Sequence, residues 1–498
     1  MRIFLELPID AGPVHRARLG YAFRLFCAIY GHQPLLEHKD ARSADISISY
    51  LPACRKSVGE RCVRISNLYL PRAPHRPAPP PIQYVHGDDM TILHYEPVDS
   101  CSPDWLAEIF EWVSCADEYS VTERDSVGRP LFAATYAGRH RIDIRIPYAA
   151  IAMQILQREI CKLIPQEATH PTSPDKAVSH FIITTHDIDY FPVGRVNAVQ
   201  RLIRNAVISC LLANRPSLGM QQARLAVKMA LGGPNPLDQI SILAKEERRR
   251  GISASYYFMV WHLHRLDANY TLKHPGVLET MRWLESQGME IGVHGSYTCL
   301  DSSSGFECEV ASLRAQGFHP QGGRQHWLRY TLDRLIPALE RADVSYDTSL
   351  GWSERIGFRA GACFSFPPYN FEQERAASFL EIPMLMMDQA LWGEHNEEQL
   401  FEKAVAMFAT SRRMGWGGVS LLWHPAAFGG GWLSPEVGNI YWRFADRYSS
   451  QLERWVNAST FVQSVSQRYV DAGLLPAERI FKTREGQFNP PPEEFVHA

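Results

Sequence analysis

The residues best suited to chemistry stand together at the end of a short apolar run. Phe181-Ile-Ile-Thr-Thr185 is followed at once by His186, Asp187 and Asp189. A β-branched, apolar run of that length reads as a buried strand. A strand interior has no use for two carboxylates and an imidazole, whereas a metal ion or a proton-transfer site at the strand's C-terminal end does.

Comparable residues close later strand-like segments. They stand in Glu290-Ile-Gly-Val-His294-Gly-Ser-Tyr297, in Gly322-Gly-Arg324-Gln-His326-Trp327-Leu-Arg329, in Tyr346-Asp347 and in Leu421-Leu-Trp-His424. Singly, each has a plainer explanation. A lone histidine such as His424 is commonly a satisfied core or surface residue, Asp347 suits a turn cap, and Arg324 and Arg329 suit surface charges. His262 and His264 alternate on one face of a strand end and fit a cleft or an exposed edge equally. Recurrence at the same end of successive strands is what joins them into a site.

The elements that must position these residues alternate. Ser253–Val260, Met289–Val293, Val344–Tyr346, Leu380–Met384 and Val419–Trp423 read as strands. Pro275 to Gln287 has helical spacing with Gly288 as its stop, and Val196 to Gly232 reads as a helical insertion over one edge of the site. Strand–helix alternation predicts a parallel α/β sheet, open or closed into a barrel. Met1 to Leu7 and Ile46 to Leu51 predict strands of a separate N-terminal α/β module. The expected division is residues 1–170 for that module, 177–485 for the barrel and 486–498 for an extended tail, with Gln166 to Lys176 as the boundary and Pro71 to Pro81 as a loop.

Length and composition fit two soluble domains: 498 residues, 45% hydrophobic and 21% charged. A net charge of −3, from 51 basic and 54 acidic residues, gives no global attraction to nucleic acid, and none is expected as a partner. No apolar run spans a bilayer. The opening Met-Arg-Ile-Phe-Leu-Glu-Leu-Pro reads as a strand rather than a secretion signal, and the ten cysteines form no CxxC pair; a cytoplasmic protein with reduced, buried thiols is expected.

In motif order, residues 180–430 resemble the NodB-type polysaccharide deacetylases, carbohydrate esterase family 4. Thr185-His-Asp187, Ser253-Ala-Ser-Tyr-Tyr-Phe258, Glu290-Ile-Gly-Val-His294, Gly323-Arg324 and Leu421 to His424 follow in sequence. Gly322 to Arg329, Tyr346-Asp-Thr-Ser-Leu-Gly351 and Gly357-Phe-Arg-Ala-Gly361 are similar to a bacterial subgroup of that family. Its members carry an uncharacterised N-terminal domain, which residues 104–150 resemble through Asp117-Glu-Tyr119 and Asp125-Ser-Val-Gly-Arg129.

The resemblance implies a distorted (β/α) barrel with an N-terminal α/β domain, and a metal-dependent hydrolase that removes an N-acetyl group from an acetamido sugar or polysaccharide precursor. It implies a divalent metal, zinc being the expected ion, with His294 as ligand, Asp187 as general base, His424 as general acid and Arg324 holding the base. Trp327, Tyr297 and Arg359, inside the motif blocks, are the candidates for substrate contact; Trp261, Trp352 and Trp423 lie near the same blocks and suit either a sugar face or the core.

The chain departs from the family pattern twice. Ile188 replaces the second of two adjacent aspartates, and strand alternation makes Asp189 the substitute ligand because it faces the same way as Asp187. Thr298 replaces the second histidine, and His326 is the expected third ligand. His186 is then a supporting residue. Two other readings stay open: a C–N hydrolase or esterase on a non-carbohydrate substrate, and a catalytically impaired sugar-binding protein.

Overall fold

Strand Phe181–Ile188, buried along its whole length, is the axis of the molecule's main sheet. The structure is a computed structural model that describes residues 1–50, 61–65, 79–86, 89–94, 103–164, 180–192, 194–391, 396–414, 417–431, 436–449 and 454–479. The expected boundary 166–176, the tail 486–498 and most of the proline-rich loop lie outside these residues.

Around that axis the strands are all parallel. Ser255–Phe258, Glu290–Gly295, Gly322–Gln325, Tyr346–Asp347 and Leu380–Glu381 follow in order on one side, and Gly418–Leu422 then Met384–Met387 on the other. Leu380–Glu381 and Met384–Met387 sit at opposite edges, yet only Ile382 and Pro383 separate them. Ile382 N–H donates to Asp347 O at 2.9 Å, while Pro383 O accepts from Ser420 N–H at 3.0 Å. One extended segment therefore joins both edges and closes the sheet into a distorted α/β barrel. Pro383 marks the change of partner, because proline has no N–H to give a ladder. The same proline explains why the single expected strand Leu380–Met384 is two short ones reaching to Met387.

Helices cover the outside. Pro275–Ser286 buries Val277, Met281 and Leu284, spaced to share one face, and Gly288 at φ +80° turns the chain into the next strand. The insertion after the first strand is two helices, Arg195–Leu211 and Pro216–Ala230, where one helical region was expected. Asn214 at φ +51° and Pro216 break it, since a residue before proline is pushed out of the helical region.

Near the N-terminus, Gln33–Leu35, Arg2–Glu6, Ile46–Ser49 and Cys62–Arg64 form a separate four-stranded parallel sheet. Helices Pro13–Tyr30, Trp105–Val113 and Tyr148–Cys161 share one apolar cluster with the barrel. Ion pairs Arg18–Glu374 and Arg359–Glu118 add polar ties across the same joint. The eight described cysteines are free; four are buried and Cys308 is exposed, so burial is not general among them.

Candidate metal and acid–base site

Parallel strands bring their C-terminal ends to one rim, and the polar residues of distant motifs meet there. Register sets Arg324 directly beside His294. Arg324, fully buried, donates from Nη1 to Asp187 Oδ1 and to Thr185 Oγ1, both at 2.9 Å, and from Nε to Thr348 O at 3.0 Å. Asp187 is thus a carboxylate fixed by a guanidinium that cannot lose its proton. Ile188 is buried on the opposite face of the strand, so Asp187 and Asp189 turn the same way.

Asp189 meets three imidazoles. Its Oδ1 lies 3.1 Å from His294 Nε2 and 3.5 Å from His326 Nε2, and its Oδ2 lies 3.4 Å from His424 Nε2. His294 Nδ1 is 3.0 Å from Arg324 O. A carbonyl only accepts, so Nδ1 carries a proton, and Nε2 is the nitrogen turned to the cluster, the one that would give its lone pair to a metal ion once its own proton is released. His326 Nδ1 faces Asp267 Oδ1 at 3.8 Å, longer than a hydrogen bond, which still aims Nε2 at Asp189. Asp189, His294 and His326 place one ligand atom each within 4.8 Å of one another, and they are residues that could hold a metal ion. A tetrahedral ion with bonds of about 2.0–2.1 Å spaces its ligands by roughly 3.3 Å. The two distances from Asp189, 3.1 and 3.5 Å, bracket that spacing, and one carboxylate with two imidazoles is a donor set of the type such an ion takes.

Backbone strain sits beside this set. Trp327 and Leu328, immediately after His326, have φ of +61° and +53°. Two successive non-glycine residues in the left-handed region cost about 1–3 kcal/mol each, a cost seen mostly at functional sites.

Across the rim, the backbone N–H of His424 donates to Asp388 Oδ2 and its Nδ1 to Oδ1, both at 2.9 Å. Burial alone depresses the pKa of His424, but the Asp388 carboxylate, with Asp189 and Asp187 beyond it, pushes it up to about 10. For Asp189 burial works upward and is outweighed by the neighbouring imidazoles, which hold the carboxyl well below its ordinary value. His294 is raised: Asp187 and Asp189 overcome its burial.

The structure therefore brings Asp187, Asp189, His294, Arg324, His326 and His424 together. Trp327 is half-buried beside His326, ring centroids 5.5 Å apart, with its indole N–H directed to Leu266 O. Tyr297 stacks on His264 at 4.3 Å with Arg329 over its other side at 4.6 Å. Arg359 is not brought to the cluster. Expected to contact substrate, it is 3% exposed, with Nε on Glu118 at 2.8 Å and Nη1 on Gly351 O at 2.7 Å, so its donors are already engaged at the joint with the N-terminal part. Trp423 and Trp352 are buried and offer no sugar face, whereas Trp261 remains half-buried. Asp347 caps the turn at Ser349.

His186 is a supporting residue. Its Nδ1 donates to Trp423 O at 2.6 Å, and its Nε2 meets the buried Glu247, which also accepts from Tyr256.

Asp388 and Asp267 escaped the sequence reading. The signal for Asp388 was present: Met384-Leu-Met-Met387 runs into a carboxylate just as Phe181-Ile-Ile-Thr-Thr185 does. Asp267 lies in a loop and holds the N–H groups of Leu263, His264 and Tyr297, a role without a local signature.

No protein-family model and no curated protein matches the chain. Among solved structures, a protein described as a polysaccharide deacetylase from Mycobacterium smegmatis is 14% identical, with a TM-score of 0.37 over 59% of this chain and 92% of its own. Puue allantoinase is also 14% identical, with a TM-score of 0.38 over 61% and 94%. A family 4 carbohydrate esterase from Streptomyces lividans is 10% identical, with a TM-score of 0.24 over 54% and 91%. At these identities the activity has to be argued from the residues.

Proposed function

We propose that the chain is a metal-dependent hydrolase of the NodB-type deacetylase kind, which removes the N-acetyl group from an acetamido sugar or polysaccharide precursor. One observation carries this reading. Two carboxylates at the end of one strand have different nearest partners: Asp187 is paired with the buried Arg324 guanidinium at 2.9 Å, with His294 farther off at 3.8 Å, and Asp189 is surrounded by imidazoles at 3.1 to 3.5 Å. That division separates a proton acceptor from a metal ligand.

A divalent cation held by Asp189, His294 and His326, zinc by its mixed nitrogen and oxygen donors, supplies Lewis acidity to the acyl oxygen and the attacking water when bound. Asp187 takes the water's proton, and Arg324 keeps the carboxylate oriented between turnovers. His424, its Nδ1 proton fixed on Asp388, presents Nε2–H to the leaving amine nitrogen. Trp327 is assigned to a sugar face, which suits an aromatic ring, and Tyr297, its ring faces taken by His264 and Arg329, is assigned to the sugar through its edge and hydroxyl. In this reading residues 1–170 form a module of their own beside the barrel at 177–485, 486–498 is an extended tail, and the chain works in the cytoplasm.

Acetate release from a panel of N-acetylated sugars, set against non-carbohydrate amides and acetate esters, tests the substrate class. Sugar-selective release supports the reading, and release confined to the other two classes overturns it.

A further inference from the structure

Between Phe191 and Leu237 the chain carries six cations, at positions 195, 201, 204, 215, 224 and 228, and no Asp or Glu. This stretch is the helical hairpin Arg195–Leu211 and Pro216–Ala230. Its inner side is fixed to the barrel rim: Ala198 and Leu202 are buried, Asn205 Nδ2 donates to Gly431 O at 2.8 Å, and Arg215 pairs with Glu436 at 3.1 Å.

The outer side is also apolar, which folding does not require. Eight of the fourteen large apolar side chains exposed among the described residues lie between Val196 and Leu231. Ile203, Val207 and Leu211 recur at i, i+4 and i+8 on the first helix, and Met220, Val227 and Leu231 fall on one face of the second. Between the stripes runs an open groove of about 570 Å³ that no charged or amide side chain lines. Exposed Arg204, Arg224 and Lys228 stand three or four residues from stripe residues and so flank the stripes.

An apolar stripe with cations on its flanks is the pattern of a helix that lies in a lipid interface. Charge selects the occupant. A second copy docked on the same patch would set Arg204, Arg224 and Lys228 against the same three cations. An anionic bilayer supplies opposite charge for the flanks and hydrocarbon for the stripes. No helix among the described residues is long and apolar enough to cross a membrane, so the contact is with the surface.

We propose that the 195–231 hairpin seats the protein on an anionic lipid bilayer. The hairpin begins six residues after Asp189 and is tied to Gly431, seven after His424, so the seat adjoins the barrel mouth. This inference is independent of the chemistry proposed at that mouth.

Flotation of the full chain with vesicles tests it, comparing phosphatidylcholine alone with phosphatidylcholine mixed with phosphatidylglycerol. Binding is expected to the mixed vesicles only, and to be lost in about 1 M salt, where the screening length is ~3 Å. Val207→Asp with Leu211→Asp, and separately Arg204→Glu with Arg224→Glu, are each expected to lower partitioning at least ~10-fold with unchanged circular dichroism. Equal binding to both vesicle types, or no binding to either, overturns the proposal. So does a dimer in sedimentation that the Val207 and Leu211 changes dissolve while the vesicles stay bare.

Discussion

His424 Nδ1 lies 2.9 Å from Asp388 Oδ1, and that contact decides which ring nitrogen faces the cluster. The carboxylate only accepts, so Nδ1 holds a proton, and the second proton, on Nε2, is the one available to a leaving group. Asp388 also keeps the imidazolium protonated, opposing the burial that depresses its pKa. Asp388→Asn removes the charge. His424 then loses its proton at lower pH, and the alkaline limb of the kcat profile moves to lower pH. The accompanying fall in kcat is expected within the ~10²–10⁴-fold range of acid–base catalysis. An alkaline limb that stays in place contradicts the assignment.

His326→Ala tests the substituted ligand. Removing one of three protein donors is expected to weaken zinc binding beyond the roughly 10–100-fold that loss of an outer partner costs. Calorimetric titration of purified wild type and variant measures this. Unchanged stoichiometry and affinity mean that His326 is no ligand.

Glu118→Ala tests the joint between the N-terminal part and the barrel. It leaves Arg359, whose side chain is 2% exposed, as a buried charge without its carboxylate. Breaking a buried pair on one side costs about 3–5 kcal/mol, and Arg359→Met in the same chain should recover part of it. Denaturant unfolding of the single and double variants measures both effects. A single variant as stable as wild type contradicts the structural role given to Arg359.

His180 sets an acid limit on stability. Burial, with a smaller contribution from Arg412, lowers its pKa from 6.5 to about 4. The unfolded chain therefore binds this proton more readily than the folded one between those values. The contribution is fully present above pH 6.5 and is lost as pH falls toward 4, on the order of 3 kcal/mol at most. His180→Phe should lose less melting temperature than wild type between pH 7.5 and pH 5. Parallel losses contradict the linkage.

Where a motif ended a strand, the sequence made the site legible. Apolar runs locate the ends at Asp187, His294 and His424, while Arg324, which follows two glycines, is marked by its motif alone; parallel topology makes all four ends meet. Period-2 alternation explains why Asp189 replaces an adjacent aspartate without leaving the cluster. Closure of the barrel through Pro383 was not legible, because a strand that changes partners has no distinctive pattern of its own. Arg359 misled for a related reason: a residue inside a motif block is as readily used to hold the fold as to meet a substrate, and Trp423, for which both uses were open, went to the core. The apolar outer face of the hairpin was hidden by its overall helical spacing, since both faces carry apolar residues and only the fold shows which one is covered.

The central claim is that a metal-dependent site with Asp187 as its base hydrolyses an N-acetyl group. Acetate release from one N-acetylated sugar, measured before chelation, after chelation and after zinc is returned, tests it most directly, with Asp187→Asn carried through the same steps. The predicted result is release by wild type that stops on chelation and resumes with zinc, and a variant that binds zinc and releases ~10²–10⁴-fold less. Release that persists in chelator, or an Asp187→Asn variant as active as wild type, would contradict the account.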